Sequence, residues 1–188
     1  MMEKLSNATT KEAIAQQLRE LIFSRQLDDG QEITQNEVAD SLCLSRMPVR
    51  EAFLVLTEEG LLTRLANRHI AVNGINHDRA LVYFRHLIMC DCMAMDYMKT
   101  HNGSSDERSW HEALLSSSGD PLIKAVCSSS LKGYTSYFFE KHRSPDRSAL
   151  LKKISLLIDE GKKAEAALLL QGEYLQMITS VLEVEFAQ

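Results

Sequence analysis

A helix with both of its ends marked in the sequence is the feature that most constrains the fold. Ser45 is a favourable N-cap residue, and Pro48 falls in the first helical turn, where a backbone N–H has no intrahelical partner to lose. Gly60 readily takes the left-handed conformation that ends a helix. The apolar residues between them recur at i, i+3, i+4 and i+7, which predicts one buried face: Val49, Ala52, Phe53 and Leu56.

The opposite face of this helix carries cations near its N-terminus. Arg46, Met47 and Arg50 lie together there. Residues 1–75 hold eight Lys and Arg against eleven Asp and Glu, so this half of the chain is not basic overall. For a nucleic-acid surface, however, the clustering of cations matters more than the total. Every Lys or Arg between residues 42 and 76 belongs to this helix or to the segment that follows it: Arg46, Arg50, Arg64 and Arg68.

The segments on either side give a recognisable order of elements. A helical pattern over residues 9–27 precedes a short helix near residues 34–42, whose Thr34 and Glu37 fit a capping box. After Gly60, the runs LLTRL and HIAVN read as two short strands around a polar turn. This is the order of a winged helix-turn-helix, in which the second helix of the motif enters the major groove of DNA. The predicted DNA contacts are Ser45, Arg46, Met47, Arg50, Arg68 and His69.

Residues 76–188 carry helical patterns throughout. Asn76 is a predicted N-cap, and five helices are predicted, over residues 77–99, 106–117, 121–142, 146–159 and 162–186. The fold class is therefore predicted to be mainly α. A winged helix-turn-helix domain would occupy residues 1–75, and an all-α helical bundle for effector binding or dimerisation would occupy residues 76–188.

A few polar residues in the predicted bundle are candidates for a binding site. Glu107 and His111 are four apart and share a helix face, but two ligands are too few for a metal site, so a polar face or a metal-free pocket is the preferred interpretation. Arg85 would suit an anionic effector or an interhelical ion pair equally well. The four cysteines lack paired spacing, which favours reduced core thiols over disulfides or zinc: Cys43, Cys90, Cys92 and Cys127.

The N-terminal motifs closely resemble those of a known family. SRMPVREAF, followed by LTEEGLL and the wing RLANRHIAV, is similar to the N-terminal domain of the GntR family of bacterial transcription regulators over roughly residues 10–75. The resemblance implies DNA contacts by Arg46 and Arg50 on the recognition helix and by Arg68 at the wing. The family usually has glycine after the wing arginine, whereas this chain has His69.

The helical half resembles, more weakly, the effector domain of the FadR-type subfamily, known as FCD, through the segment DERSWHEALLSSSGDPLI. In that subfamily an acidic residue and histidines often hold a divalent metal that helps to bind a small carboxylic acid. The resemblance implies effector contacts by Arg85, Glu107, His111 and Tyr174. Tyr174 is the residue closest to a position where the family has histidine, so the ligand set is incomplete and we expect neither metal nor other cofactor.

Together these features predict a homodimeric transcription regulator, more specifically a repressor, that binds a palindromic DNA operator while its bundle senses a small carboxylate effector. The alternative is a constitutive DNA-binding protein whose bundle serves only for dimerisation or protein interaction. No catalytic motif is present, so the chain is not expected to be an enzyme. The sequence has neither a run of about 20 apolar residues nor a signal peptide, so we expect no membrane contact and a cytoplasmic location.

Overall fold

The structure, a computed structural model, describes residues 7–67, 69–97, 106–117, 121, 124–125 and 133–187. The chain divides into two compact units, Met1–Ile75 and Asn76–Gln188. None of the described helices is long and apolar enough to cross a membrane.

The N-terminal unit combines three helices with a small sheet. Helices α1 (Asn7–Phe23), α2 (Gln35–Ser41) and α3 (Arg46–Glu58) alternate with strands β1 (Glu32–Ile33), β2 (Leu62–Arg64) and β3 (Ile70–Val72). All pairing is antiparallel, in the order β1-β3-β2. The predicted hairpin of β2 and β3 is therefore confirmed. Strand β1 was not predicted, because a two-residue strand gives no alternation of apolar and polar residues to detect.

Helix α3 packs its predicted apolar face into the core of this unit. Val49, Ala52, Phe53 and Leu56 are all buried, as the spacing predicted. Helix α1 supplies the facing side chains, and the strands close the remaining side: Ile14, Ala15, Leu18, Ile22, Leu61, Leu62, Ile70 and Val72. Packing of this apolar surface fixes α3 in place and leaves its other face outward.

The ends of α2 and α3 follow the predicted capping chemistry with one exception. Thr34 and Glu37 form the predicted capping box at α2, and Gly60 takes φ +75° after α3. Ser45 is the N-cap of α3, as predicted, but its side chain makes no hydrogen bond to the helix. Ser45 therefore begins the helix through its extended backbone conformation alone, and its hydroxyl does not cap the helix.

The turn between α2 and α3 depends on a cysteine in the left-handed region. The N–H of Leu44 donates to the carbonyl of Ala39 at 2.9 Å, and that of Cys43 donates to Asp40 at 3.2 Å. This is the Schellman arrangement, and it requires positive φ at Cys43, which has φ +53°. A cysteine does not indicate this conformation, since glycine or asparagine is the usual residue there.

An ion pair ties the C-terminal end of α3 to α1. Arg19 donates to both carboxylate oxygens of Glu59, from Nε at 2.8 Å and from Nη2 at 2.6 Å, and also contacts Glu12 at 2.9 Å. The hydrogen bond to Glu59 raises the pKa of the Arg19 guanidinium above its ordinary value. Because its donors are engaged by carboxylates, Arg19 serves the fold rather than an external ligand.

The C-terminal unit contains helices and no strand among its described residues. Its helices are α4 (His77–Tyr97), α5 (Glu107–Ser116), α6 (Tyr134–Lys141), α7 (Pro145–Asp159), α8 (Lys163–Leu169) and α9 (Leu175–Phe186). Two predicted caps are confirmed: Asn76 accepts from the N–H of Arg79 at 2.9 Å, and Ser144 accepts from the N–H of Arg147 at 3.3 Å before Pro145.

One predicted helix in this unit is wrong in its extent, and another has the predicted extent but contains an irregular turn. The predicted helix over residues 121–142 is broken at Gly133, whose φ of +68° lies outside the helical region, so α6 begins afresh at Tyr134. The predicted helix over residues 162–186 contains a π-helical turn, Leu170–Tyr174, between α8 and α9. A single wide turn leaves the apolar periodicity almost unchanged, which is why spacing alone did not reveal it.

Replacing Cys43 by glycine should stabilise the N-terminal unit. The left-handed conformation costs a residue with a Cβ about 1–2 kcal/mol, and the larger entropy of unfolded glycine offsets part of the gain. We expect Cys43→Gly to raise the free energy of unfolding by about 0.5–1 kcal/mol, measured by hydrogen exchange of α3 amides. Cys43→Ala is the matched control, because it removes the thiol and keeps the Cβ. Equal protection in the two variants would contradict the account.

Candidate nucleic-acid interface and a buried polar cluster

The N-terminal end of α3 presents four of the predicted DNA contacts to solvent. Ser45, Arg46, Met47 and Arg50 are all exposed, and Met47 is 60% exposed. Within the part of the chain that the structure describes, neither arginine makes a hydrogen bond or ion pair. The first-turn N–H groups of a helix point outward and favour anions. The surface therefore combines two guanidinium groups, a hydroxyl and helix N–H groups on one side.

The hairpin supplies the second part of this surface. Arg64, at the end of β2, is exposed and pairs in register with Ile70 of β3. Arg68, the predicted wing contact, lies outside the described residues. Asn67 and His69 flank it, and the Asn67 side chain accepts from the His69 N–H at 3.0 Å.

His69 joins the wing to the rest of the sheet. Its Nδ1 lies 2.5 Å from a carboxylate oxygen of Glu32 on β1, and both side chains are about half exposed. Among the described residues other than glycine, only Arg25 and Cys43 have positive φ, so His69 keeps ordinary backbone geometry where the resembling family usually has glycine. The imidazole is thus engaged at the base of the wing by Glu32, an acidic residue that no sequence motif indicated.

These elements define a winged helix-turn-helix DNA-binding module. Residues 10–72 match the family model described as "Bacterial regulatory proteins, gntR family", and the N-terminal unit is accordingly a DNA-binding domain of the GntR type. A curated relative from Streptomyces ambofaciens, named "Uncharacterized HTH-type transcriptional regulator in unstable DNA locus", is 34% identical over 61 residues. That match covers 32% of this chain and only 26% of the relative.

Two solved structures share the fold of nearly the whole chain. One, from work described as "Lar controls the expression of the Listeria monocytogenes agr system and mediates virulence", has a TM-score of 0.61 at 14% identity and covers 100% of this chain and 98% of its own. The other, "a putative transcriptional regulator GntR from Rhodococcus sp. RHA1", has a TM-score of 0.57 at 19% identity and covers 93% and 97% of the two chains. At these identities the likeness concerns the fold.

The C-terminal unit contains a buried polar cluster that brings together three of the four predicted effector residues. Glu107, His111 and Tyr174 are buried and joined by hydrogen bonds: Tyr174 Oη donates to Glu107 Oε1 at 3.1 Å and lies 2.9 Å from His111 Nε2. Arg85 is exposed on α4 and is not part of the cluster. The i, i+4 spacing correctly placed Glu107 and His111 on one face.

Two further members of this cluster were missed in the sequence. Arg147 of α7 donates to both oxygens of Glu107, at 2.6 Å and 3.0 Å, and also to the backbone carbonyl of His142. Asp91 of α4 lies 2.7 Å from His111 Nδ1. Both residues sit within apolar helical patterns, which predict burial of a helix face but do not indicate which charges meet across helices.

The hydrogen bonds of the cluster fix its proton inventory. The carboxylate of Glu107 can only accept, so Tyr174 donates to it and His111 Nε2 donates in turn to the Tyr174 hydroxyl. One proton then remains between His111 Nδ1 and Asp91. Burial raises the pKa of Asp91, against the lowering effect of His111, and Asp91 Oδ1 has no hydrogen-bond partner among the described residues. Asp91 and His111 therefore share one proton, and the pair carries no net charge.

The phenol of Tyr174 stays neutral in this setting. Burial raises its pKa well above the ordinary value, and the neighbouring Glu107 charge adds to the shift. With Glu107 and Arg147 compensating each other, the five side chains carry no net charge. Aromatic rings enclose the cluster: His111 stacks on Phe139 with ring centroids 5.1 Å apart, and the Arg147 guanidinium lies 5.5 Å from the Phe138 ring centroid.

The donor set of this cluster does not fit the divalent metal that the FCD resemblance implied. Both nitrogens of His111 and both oxygens of Glu107 already have partners, and the Arg147 guanidinium lies against the carboxylate that a metal would need. Across the described ranges, no group of three or more His, Cys, Asp and Glu is arranged to hold a metal ion. A cation is present in the cluster, but it is a guanidinium.

Replacing only one residue of the Glu107–Arg147 ion pair should destabilise the unit far more than replacing both. Arg147→Met leaves the Glu107 charge buried without its partner, and Glu107→Leu strands the guanidinium, so each should lower the free energy of unfolding by about 3–5 kcal/mol. The double variant should lose markedly less than either single change. The measurement is urea unfolding followed by fluorescence of Trp110, the single tryptophan, which is buried in this unit. Additive losses in the double variant would show that the pair is not coupled.

Proposed function

We propose that this protein is a transcription regulator that binds duplex DNA through the N-terminal face of α3 and the wing. The observation that carries the proposal is the pair Arg46 and Arg50, which are exposed one helical turn apart and have no partner within the described residues. Two unpaired guanidinium groups on one helix end suit a ligand that offers phosphates and guanine edges. Arg64 on β2 adds a cation from the hairpin, and Arg68 remains a predicted contact of the wing.

The division of work between these residues follows from their positions. Arg50 lies one turn inside α3, where a side chain reaches base edges in the major groove, and guanidinium can donate two parallel hydrogen bonds to guanine. Ser45 and the first-turn N–H groups lie at the helix end, where they suit a phosphate. Met47 is exposed beside them and offers an apolar contact of the kind that a thymine methyl group accepts.

The regulator is further proposed to act as a homodimer on a palindromic operator, and to repress. One recognition helix contacts only a few base pairs, and two symmetry-related modules on two half-sites multiply the specificity. Repression is the direct consequence of a dimer that occupies an operator within a promoter, because the site is then closed to polymerase.

Arg50→Ala should weaken DNA binding by about 1–3 kcal/mol, which is roughly 5- to 150-fold in Kd, if the residue reads a base. DNA fragments selected from a random pool by the wild-type chain serve as the probe, and anisotropy titrations are run at fixed salt. Lys152→Ala is the matched control, since it removes a charge from an exposed position of the other unit. On a reporter promoter carrying the selected site, Arg50→Ala should release repression. Unchanged affinity would defeat the assignment.

The C-terminal unit is proposed to sense a small carboxylate by an exchange at Arg147. Arg147 is the one cation among the buried residues that the structure describes, and its ligand is the Glu107 carboxylate. An incoming carboxylate of similar geometry could take the place of Glu107 and release it toward solvent. Such an exchange would give the effector different affinities for two states of the unit, which is what a switch requires.

The closed hydrogen bonding of the same cluster favours a second function. Glu107, His111 and Tyr174 satisfy one another, so these three side chains need no ligand. In this second case the protein binds DNA constitutively, and its helical unit serves only for dimerisation or protein interaction. We infer in both cases that no divalent metal takes part, because its donors are engaged.

Thermal shift distinguishes these two functions. A carboxylate that binds only the folded state at 100 times its Kd stabilises by about 2.7 kcal/mol, which moves the melting temperature by several degrees. Effector sensing predicts such a shift for at least one member of a panel of small carboxylates, and its loss in Arg147→Met. A constitutive binder predicts no shift with any member. Zn²⁺, Mn²⁺ or EDTA should leave the melting temperature unchanged, and a rise with metal would contradict the donor analysis.

A further inference from the structure

Helix α4 leaves an apolar stripe uncovered on the side opposite its core. Val82, Met89 and Met93 are 62%, 57% and 46% exposed, while Phe84, Leu87, Ile88, Ala94 and Met95 of the same helix are buried. Positions 82, 89 and 93 fall on one side of a helix, where Met89 and Met93 are neighbours and Val82 lies two turns before Met89, beyond the exposed Arg85 and His86. Single exposed apolar side chains are ordinary, but three in line on one helix indicate a surface that is covered in use.

A groove of about 660 Å³ runs beside this stripe, between α4 and the chain from Lys163 to Leu175. Met89 and Met93 form one wall, and the small side chains Ala164 and Ala167 form the other. Leu168, the next residue after Ala167, is 71% exposed. Methionine adapts its shape to whatever it packs against, and alanines allow a helix to approach closely, so the groove suits a helix of another chain.

Two opposite charges flank the Met89–Met93 pair on the same helix. Arg85 and Asp96 both line the groove and are exposed, and neither side chain has a hydrogen bond or ion pair with the described residues. Asp96 contacts Lys163 through its backbone carbonyl, which accepts from Lys163 Nζ at 3.1 Å. A helix that carries a cation one turn before an exposed methionine pair and an anion one turn after it is complementary to an antiparallel copy of itself.

We propose that this face of α4 is the surface through which two copies of the chain associate. A two-fold axis passing midway between Met89 and Met93 places Met89 of one copy on Met93 of the other. Arg85 then lies six residues before the axis and Asp96 five residues after it, or about 9 Å and 7.5 Å along the helix at 1.5 Å per residue. Arg85 of each copy therefore meets Asp96 of the other, and two ion pairs form at once.

The length of α4 and the arrangement of its side chains suit a stable pair. Helix α4 has 21 residues and is about 30 Å long, and an isologous contact uses the stripe, the groove and both charges twice. A specific interface buries about 1,200–2,000 Å² in all, with an apolar centre and a polar rim. Methionines at the centre and charges at both ends match that anatomy. The inference rests on the proposed homodimer and assigns it a surface.

A charge exchange across the axis tests this surface. Sedimentation equilibrium of the full chain should show a wild-type dimer at micromolar concentration. Arg85→Asp places two like-charged pairs across the axis, and Asp96→Arg does the same, so each should raise the dimer Kd by about tenfold or more. The double variant carries both reversals and restores opposite charges, so its Kd should return to within about threefold of wild type. Lys152→Asp, an exposed reversal on α7, is the matched control and should change nothing.

The outcomes distinguish self-association through this surface from binding of another molecule there. They also distinguish failure of the dimer proposal from failure of the DNA-binding proposal. A wild-type chain that stays monomeric at 100 μM, single variants with unaltered dimer Kd, or a double variant weaker than both singles would each overturn the proposal. A groove that takes a small molecule or a different protein would give one of those results. Single variants should still bind a half-site duplex, whereas failure of wild type to bind any selected DNA would refute the proposed function and leave the dimer measurement standing.

Discussion

The packing of the apolar face of α3 against α1 is the interaction on which the N-terminal unit depends. The apolar side chains of α3 are buried because removing their surface from water is favourable: Val49, Ala52, Phe53 and Leu56. This burial fixes the rotation of the helix about its own axis. Residues on the other face, including Arg46 and Arg50, are therefore exposed to solvent. The exposed guanidinium groups are a consequence of the core, and the Arg19–Glu59 ion pair secures the far end of the same helix.

The helical unit depends on a different interaction, the ion pair between two charged side chains buried in the bundle. Burying Glu107 or Arg147 alone would cost several kcal/mol, and the bidentate contact between them is the geometry that best compensates such a cost. Tyr174 extends the same network to His111 and Asp91, so α4, α5, α7 and the π-helical turn share one set of hydrogen bonds. A network of this kind specifies how helices are arranged, because any slippage leaves a buried polar group without its partner.

The sequence predicted what local periodicity and capping chemistry determine. The buried face of α3, the capping box at Thr34, the hairpin and the Ser144–Pro145 helix start are all short-range patterns, and the structure confirms them. Features set by contacts distant in sequence were not predictable in this way. Glu107 and Arg147 are 40 residues apart, and strand β1 exists only because β3 is beside it.

Local exceptions to the usual residue choice were also beyond the sequence. A left-handed Cys43 breaks the preference for glycine, and only the surrounding Schellman hydrogen bonds show that the conformation is enforced. The π-helical turn before α9 is similar, because its spacing differs from that of an α-helix by a fraction of a turn. For the candidate DNA surface, helical spacing predicted that Arg46 and Arg50 lie on the outer face. The contact of His69 with Glu32 was not predictable, because it depends on the pairing of β1 with β3.

The arginines of this chain show why a net charge of −5 is compatible with an anionic ligand. Arg19 and Arg147 are neutralised by carboxylates at hydrogen-bond distance, and each serves its own unit. Arg46 and Arg50 have no such partner, so their fields reach outward from one helix end. At physiological salt the Debye length is about 8 Å, so acidic residues farther away than this are largely screened. A phosphate in contact with α3 therefore interacts mainly with the charges near that helix end. Affinity for DNA therefore depends on which cations lack a carboxylate partner, and the overall charge has little influence on it.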